Sequence, residues 1–258
     1  MRQSFWKKVL AAWLSFLLIF MASLVPGLDG TAAEGAVTVS APSAILLEAQ
    51  TGTVIFEKDA DRICSPASIT KIMTLLLIFE ALGQGQIHLT DEVVTSEHAQ
   101  SMGGSQVFLE AGEVQTVETL IKCIAVASGN DAAVAMAEYI CGTDDIFVEK
   151  MNEKAKELGL ENTHFANTNG LPADDHYSSA RDIAVMSKEL LSHEGILSYL
   201  SSESGTIEVG KEGHTSTIEM INTNKLLKTY NGAKGIKTGF TQDAGYCLSS
   251  CAERDDLT

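Results

Sequence analysis

The 258-residue sequence holds no group of cysteines and histidines at zinc-ligand spacing, no glycine-rich phosphate loop, no internal repeat and no low-complexity tract. Those absences set aside a structural zinc site, a nucleotide-phosphate cradle and a solenoid. Basic residues are scarce: 18 Lys and Arg stand against 34 Asp and Glu, for a net charge of −16. So acidic a chain disfavours nucleic acid and anionic membrane and favours a soluble domain. The five cysteines are odd in number and form no disulfide framework. Cys247 and Cys251, if on one strand, lie about 13 Å apart, too far to bridge. Cys64, Cys123 and Cys141 read as small buried apolar residues rather than catalytic thiols. None of the five lies in the first 63 residues, so no N-terminal cysteine is offered for lipid attachment.

What is present begins with a leader over residues 1–33. Arg2, Lys7 and Lys8 give a positive start, Val9 to Val25 is apolar except for Ser15 and Ser23, and Thr31-Ala32-Ala33 supplies small residues for cleavage. An uncleaved anchor is the alternative, at the short limit of about 17 residues for a span. Pro26-Gly27 favours cleavage, and both readings imply export. Residues 36–258 are then expected to form one acidic domain, long enough to bury a sizeable core without staples.

In that domain Ser43 to Ala49 and Val54 to Lys58 read as a hairpin turning at Gln50-Thr51-Gly52-Thr53. Leu89 to Leu109 reads as a polar connection. A helix from Thr116, as N-cap, to Val126 is broken by Ser128-Gly129-Asn130, and Asp131 is expected to cap the next helix. Helices are also predicted over Phe147 to Leu158 and Ala180 to Leu191. Ser201 to Thr215 reads as a surface excursion with short strands, and Gly235 to Ala252 as two antiparallel strands joined near Thr241 to Ala244. Lys237 and Gly239 should share one face of the first of these strands, with Thr238 opposite. His176, beside Asp174 and Asp175, reads as a solvated loop residue rather than a base.

Chemistry is expected at Ser65 to Glu80. Ser65 suits an N-cap and Pro66 the first helical position, which puts Ser68 in the first turn and Lys71 on the same face three residues on. A serine hydroxyl becomes nucleophilic when a neighbouring base takes its proton, and a lysine serves if burial or positive charge lowers its pKa. The S-x-x-K pattern alone is weak, since Ser4-Phe5-Trp6-Lys7 repeats it by accident. Its company is specific: Ser128-Gly129-Asn130 follows, then Lys237-Thr238-Gly239, the only Lys-Thr-Gly in the chain.

In order and spacing, these three motifs resemble those of the serine penicillin-recognising enzymes. The segments Pro66 to Thr74, Gly103 to Leu109, Ser128 to Val134 and Gly235 to Thr241 narrow the resemblance to D-alanyl-D-alanine carboxypeptidases of the low-molecular-weight penicillin-binding proteins. It covers about residues 36–258. The resemblance implies an α/β (α+β) fold in which an antiparallel sheet flanked by helices meets a helical lobe, with the site between them and Gly103-Gly104-Ser105 near its mouth. It implies Ser68 as nucleophile, Lys71 as proton acceptor and Ser128 as proton relay to the leaving amine. Asn130, Lys237, Thr238, Gly239 and Phe240 would bind substrate, and the backbone N–H groups of Ser68 and Phe240 would hold the oxyanion. The substrate implied is a peptidoglycan stem peptide ending in D-Ala-D-Ala, with β-lactams as inhibitors and no metal or other cofactor. A further strand, a carboxylate-binding arginine, a β-rich domain and a C-terminal anchor helix to the outer face of the cytoplasmic membrane would follow in the family, so a truncated chain is expected. A β-lactamase shares the motifs, but Asn162 to Ala180 lacks the glutamate that activates water in class A enzymes. A non-catalytic wall-binding or penicillin-sequestering module is the remaining alternative.

Overall fold

A computed structural model describes residues 37–254 apart from 212. The described fold lies in the unit Val39–Thr258, and the leader expected over residues 1–33 falls outside the described residues. No helix among the described residues is long and apolar enough to cross a membrane.

The chain opens with the hairpin β1 (Ala44–Leu47) and β2 (Val54–Lys58), which pair antiparallel. A one-turn 3-10 segment, Ala67–Thr70, runs straight into α1 (Lys71–Gly83). This helix is buried on nearly every side, with Ile72, Met73, Leu75, Leu76 and Ile78 inaccessible to solvent. Such all-round burial marks a central helix rather than an amphipathic surface one. Each of these side chains contributes about 1.5–3 kcal/mol by leaving water, so together they hold the start of α1 rigidly.

Leu89 to Leu109 is more structured than its polarity suggested. It carries β3 (Glu92–Val94), which pairs with β4 (Val114–Thr116), and the single turn α2 (Glu97–Gln100), capped by Ser96 Oγ. Elements this short leave no periodicity to read. Thr116 caps α3 (Val117–Lys122) as expected, its hydroxyl accepting from Thr119 N. α3 widens into a π-helical turn, Cys123–Ala127, that ends on Ser128 in the left-handed conformation. α4 (Asn130–Cys141) follows. Asp131 does not cap it: Gly129 holds the cap position, and the Asp131 carboxylate instead accepts from Val107 N and Leu109 N.

α5 (Asp144–Glu157) has Thr143 as N-cap, two aspartates in its first turn and two lysines in its last, all favourable to the helix dipole. α6 (Ala180–Leu191) has the predicted bounds and is capped by Ser179, and the short α7 (Ile196–Leu200) follows it. The expected surface excursion is a full hairpin of eight-residue strands, β5 (Ser204–Lys211) and β6 (His214–Ile221). Ile207, Val209 and Met220 give it a buried face, so packing extends the expected short strands to eight residues each. After α8 (Leu226–Thr229), β7 (Ala233–Thr241) and β8 (Gly245–Ala252) close the described chain. The strands thus pair as four two-stranded antiparallel ladders among helices, a mixed fold of the expected class. All five cysteines are free, and Cys123 and Cys251 are buried.

Candidate active site

The turn Ala67–Thr70, the junction of α3 with α4, and β7 bring the candidate residues together. The helix does not begin at Ser65. Pro66 occupies the cap position without a side-chain cap, and Ala67, the first residue of the 3-10 turn, takes a positive φ of 48°. A 3-10 turn eclipses residues i and i+3, and so Lys71 Nζ lies 3.1 Å from Ser68 Oγ.

Lys71 is fully buried. Its Nζ donates to Asn130 Oδ1 at 2.5 Å and to the Asn169 carbonyl at 2.6 Å. A neutral amine has two N–H donors and one lone pair, so with both donors engaged the lone pair is left for the Ser68 hydroxyl. Burial pushes the Lys71 pKa well below that of an ordinary lysine; the Lys237 charge adds to this and Asp131 opposes it. An amine so placed can take the serine proton.

Asn130 is held from two sides. Its backbone N–H donates to the Ser105 carbonyl at 2.8 Å, and its Nδ2 to the Gly103 carbonyl at 2.6 Å. A Cβ on Gly104 would lie 2.8 Å from that Nδ2, which explains the glycine and places the 103–105 loop against the site. Ser128 is buried, and its hydroxyl has no hydrogen-bond partner among the described residues. Its left-handed φ of 61° is uncommon for a serine and marks a site where structure overrides local preference.

On β7, Lys237 and Gly239 are buried while Phe240 is 57% exposed. A Cβ on Gly239 would lie 3.0 Å from Ser68 N, so the strand backbone meets the Ser68 N–H there. Burial lowers the Lys237 pKa to about 7, and its Nζ donates to the Thr238 carbonyl at 3.0 Å. The Thr238 hydroxyl meets that of Thr223. The Phe240 ring turns to solvent and pairs with Tyr246, centroids 4.7 Å apart. Among the substrate-binding candidates, then, Asn130 bonds Lys71, the Lys237 charge acts on Lys71 and Gly239 meets Ser68 N, whereas the Phe240 ring turns to solvent.

Sequence reasoning missed Asn169 and Gly170. Asn169 acts through its carbonyl, which leaves no side-chain signature, although the Asn-Gly pair is a turn signal. His176 is corrected outright. It is 6% exposed, its Nδ1 accepts from Ala166 N at 2.9 Å, and its Nε2 lies 2.7 Å from Thr70 Oγ1. Burial lowers its pKa to about 4, with the His164 charge adding to this, and Phe165 packs edge-on against the ring.

A family model described as D-alanyl-D-alanine carboxypeptidase matches residues 30–258. Among curated relatives, the chain is 52% identical to D-alanyl-D-alanine carboxypeptidase DacF of Bacillus subtilis, covering 84% of this chain and 55% of the relative. It is 38% identical to D-alanyl-D-alanine carboxypeptidase DacC of Escherichia coli, over 96% of this chain and 61% of that protein. The chain therefore spans between half and two thirds of the length of these relatives. Among solved structures it is similar to the carboxypeptidase DacD from Francisella tularensis, with TM-score 0.80, 30% identity and coverage of 86% of this chain and 64% of that one. It is likewise similar to penicillin binding protein 5 from Haemophilus influenzae, with TM-score 0.79, 34% identity and coverage of 86% and 63%. On the matched model and these identities, the chain belongs to the D-alanyl-D-alanine carboxypeptidase family.

Proposed function

We propose that the protein is a serine-type D-Ala-D-Ala carboxypeptidase that removes the terminal D-alanine from peptidoglycan stem pentapeptides and is acylated by penicillins. Lys71 takes the Ser68 proton, and Oγ attacks the carbonyl of the penultimate D-alanine. The C–N bond breaks as the serine ester forms, and the departing amine receives a proton through Ser128. Water then hydrolyses the ester and restores Ser68. The backbone N–H groups of Ser68 and Phe240 hold the oxyanion, Asn130 bonds the substrate amide, and Lys237 with Thr238 and Gly239 receives the terminal carboxylate. That carboxylate favours the charged form of Lys237 as it binds. The reaction as written uses no metal.

The observation that carries this reading is the 3.1 Å approach of the fully buried Lys71 Nζ to Ser68 Oγ, with Nζ also bonded to Asn130 Oδ1 and the Asn169 carbonyl. Residues 1–33 serve as an export leader and residues 36–258 as the catalytic domain. The place of action is the wall side of the membrane, with attachment to its outer face supplied by a C-terminal anchor. Release of D-alanine from a stem pentapeptide, without turnover of a β-lactam, is the expected result. Mass spectrometry should put the benzylpenicillin adduct on Ser68, and an adduct elsewhere, or rapid β-lactam hydrolysis, would sink the assignment.

A further inference from the structure

The buried His176 takes no part in this chemistry, yet its hydrogen bonds run in one direction towards the nucleophile. Nδ1 accepts from Ala166 N, so the proton of the neutral ring sits on Nε2. Nε2–H then donates to Thr70 Oγ1, and the Thr70 hydroxyl donates to the Ala67 carbonyl at 2.8 Å. The low pKa of His176 keeps the ring neutral and this direction unchanged at ordinary pH.

The end of the chain is what matters. The Ala67 carbonyl and the Ser68 N–H belong to one peptide unit, planar and trans, so the two groups point in opposite directions. Anchoring the carbonyl therefore aims the N–H. Ala67 holds a left-handed conformation that a non-glycine residue adopts only when its surroundings enforce it. The enforcement is visible at both ends of the unit. A Cβ on Gly170 would lie 1.9 Å from Ala67 O, and one on Gly239 would lie 3.0 Å from Ser68 N. The peptide is clamped between two backbones, and the Thr70 hydroxyl is the side-chain hydrogen bond on its carbonyl.

We propose that His176, acting through Thr70, is a positioning residue that orients the Ser68 N–H as an oxyanion donor. This rests on the carboxypeptidase reading. A donor misaimed by loss of its anchor should slow acylation about tenfold or more while leaving ground-state binding intact.

The test measures benzylpenicillin acylation rates, the kcat and KM for a D-Ala-D-Ala peptide, and thermal stability. The variants are Thr70→Val, Thr70→Ser, His176→Leu, His176→Gln and the double variant Thr70→Val with His176→Leu. Thr70→Val should lower the acylation rate and kcat with little change in KM, and Thr70→Ser should restore them, because only the hydroxyl is needed. His176→Gln, which keeps an N–H donor, should exceed His176→Leu, and the double variant should be no slower than Thr70→Val. Should Thr70→Val not fold, the comparison of His176→Gln with His176→Leu decides the same point. Folded variants that acylate within twofold of the unsubstituted protein, or a loss confined to KM, would overturn the inference alone. An unsubstituted protein that takes up no penicillin would overturn the carboxypeptidase reading and this inference with it.

Discussion

Gly170→Ala is the substitution whose consequence the geometry specifies most sharply. The added Cβ would stand 1.9 Å from Ala67 O, 2.3 Å from Ala67 C and 2.9 Å from Ser68 N, all backbone atoms, at a φ of +89°. Restoring ordinary contact needs a shift of about 1.5 Å in one of the two backbones. The positive φ adds about 1–3 kcal/mol of strain. Movement of either backbone threatens the bond from Lys71 to the Asn169 carbonyl and that from Thr70 to the Ala67 carbonyl. Each buried group left without its partner costs about 1–3 kcal/mol, so with both bonds lost the total is roughly 3–9 kcal/mol against a domain stability of about 5–15 kcal/mol. Any molecules that stay folded carry a displaced nucleophile, and a misplacement of about 1 Å costs about a hundredfold in rate. Thermal unfolding and the rate of penicillin labelling measure the two effects. Gly85→Ala is the control, because Gly85 also has positive φ, at +68°, but nothing within 4 Å of the added Cβ. It should lose only about 1 kcal/mol. A Gly170→Ala protein that melts and labels like Gly85→Ala would refute the claim that this glycine exists to let two backbones meet.

Three further outcomes follow from the buried charges. Lys237→Met removes a positive neighbour that holds the Lys71 pKa down, so the acid limb of the acylation pH profile should move to higher pH; an unmoved limb would show that burial alone sets Lys71. The same substitution should alter stability with a definite sign. Folding lowers the Lys237 pKa from 10.5 to about 7, so the unfolded chain binds more protons between those values and stability rises with pH across that window. Lys237→Met should therefore melt higher than the unsubstituted protein below pH 7 and lose that advantage towards pH 10.5, and parallel curves would contradict it. Asp131→Asn weakens the carboxylate clamp on Val107 N and Leu109 N, which should cost about 1–3 kcal/mol and expose the 103–109 loop to limited proteolysis. Unchanged melting and cleavage would make the clamp dispensable.

The three motifs and most of the helices are legible in the chain by itself, because those signals are local. The order of Ser68 and Lys71, Ser128 and Asn130, then Lys237 to Gly239 is a property of the string. So are the Thr116 cap and the bounds of Ala180–Leu191, where side-chain spacing and a capping hydroxyl act within one turn. Tertiary structure decided the rest, where the deciding contacts are long-range. No local signal starts the helix at Lys71 instead of Ser65; at that turn the backbones of Gly170 and Gly239, about a hundred residues and more away, approach Ala67 and Ser68 too closely for a Cβ. Ser201 to Thr215 reads as a surface excursion with short strands until Ile207 and Val209 find a core to enter. His176 looks solvated beside its two aspartates, and becomes a buried neutral ring only because Phe165, Ala166 and Thr70 close around it. Burial is a property of the packed whole, and it is burial that lowers the pKa values of Lys71, Lys237 and His176.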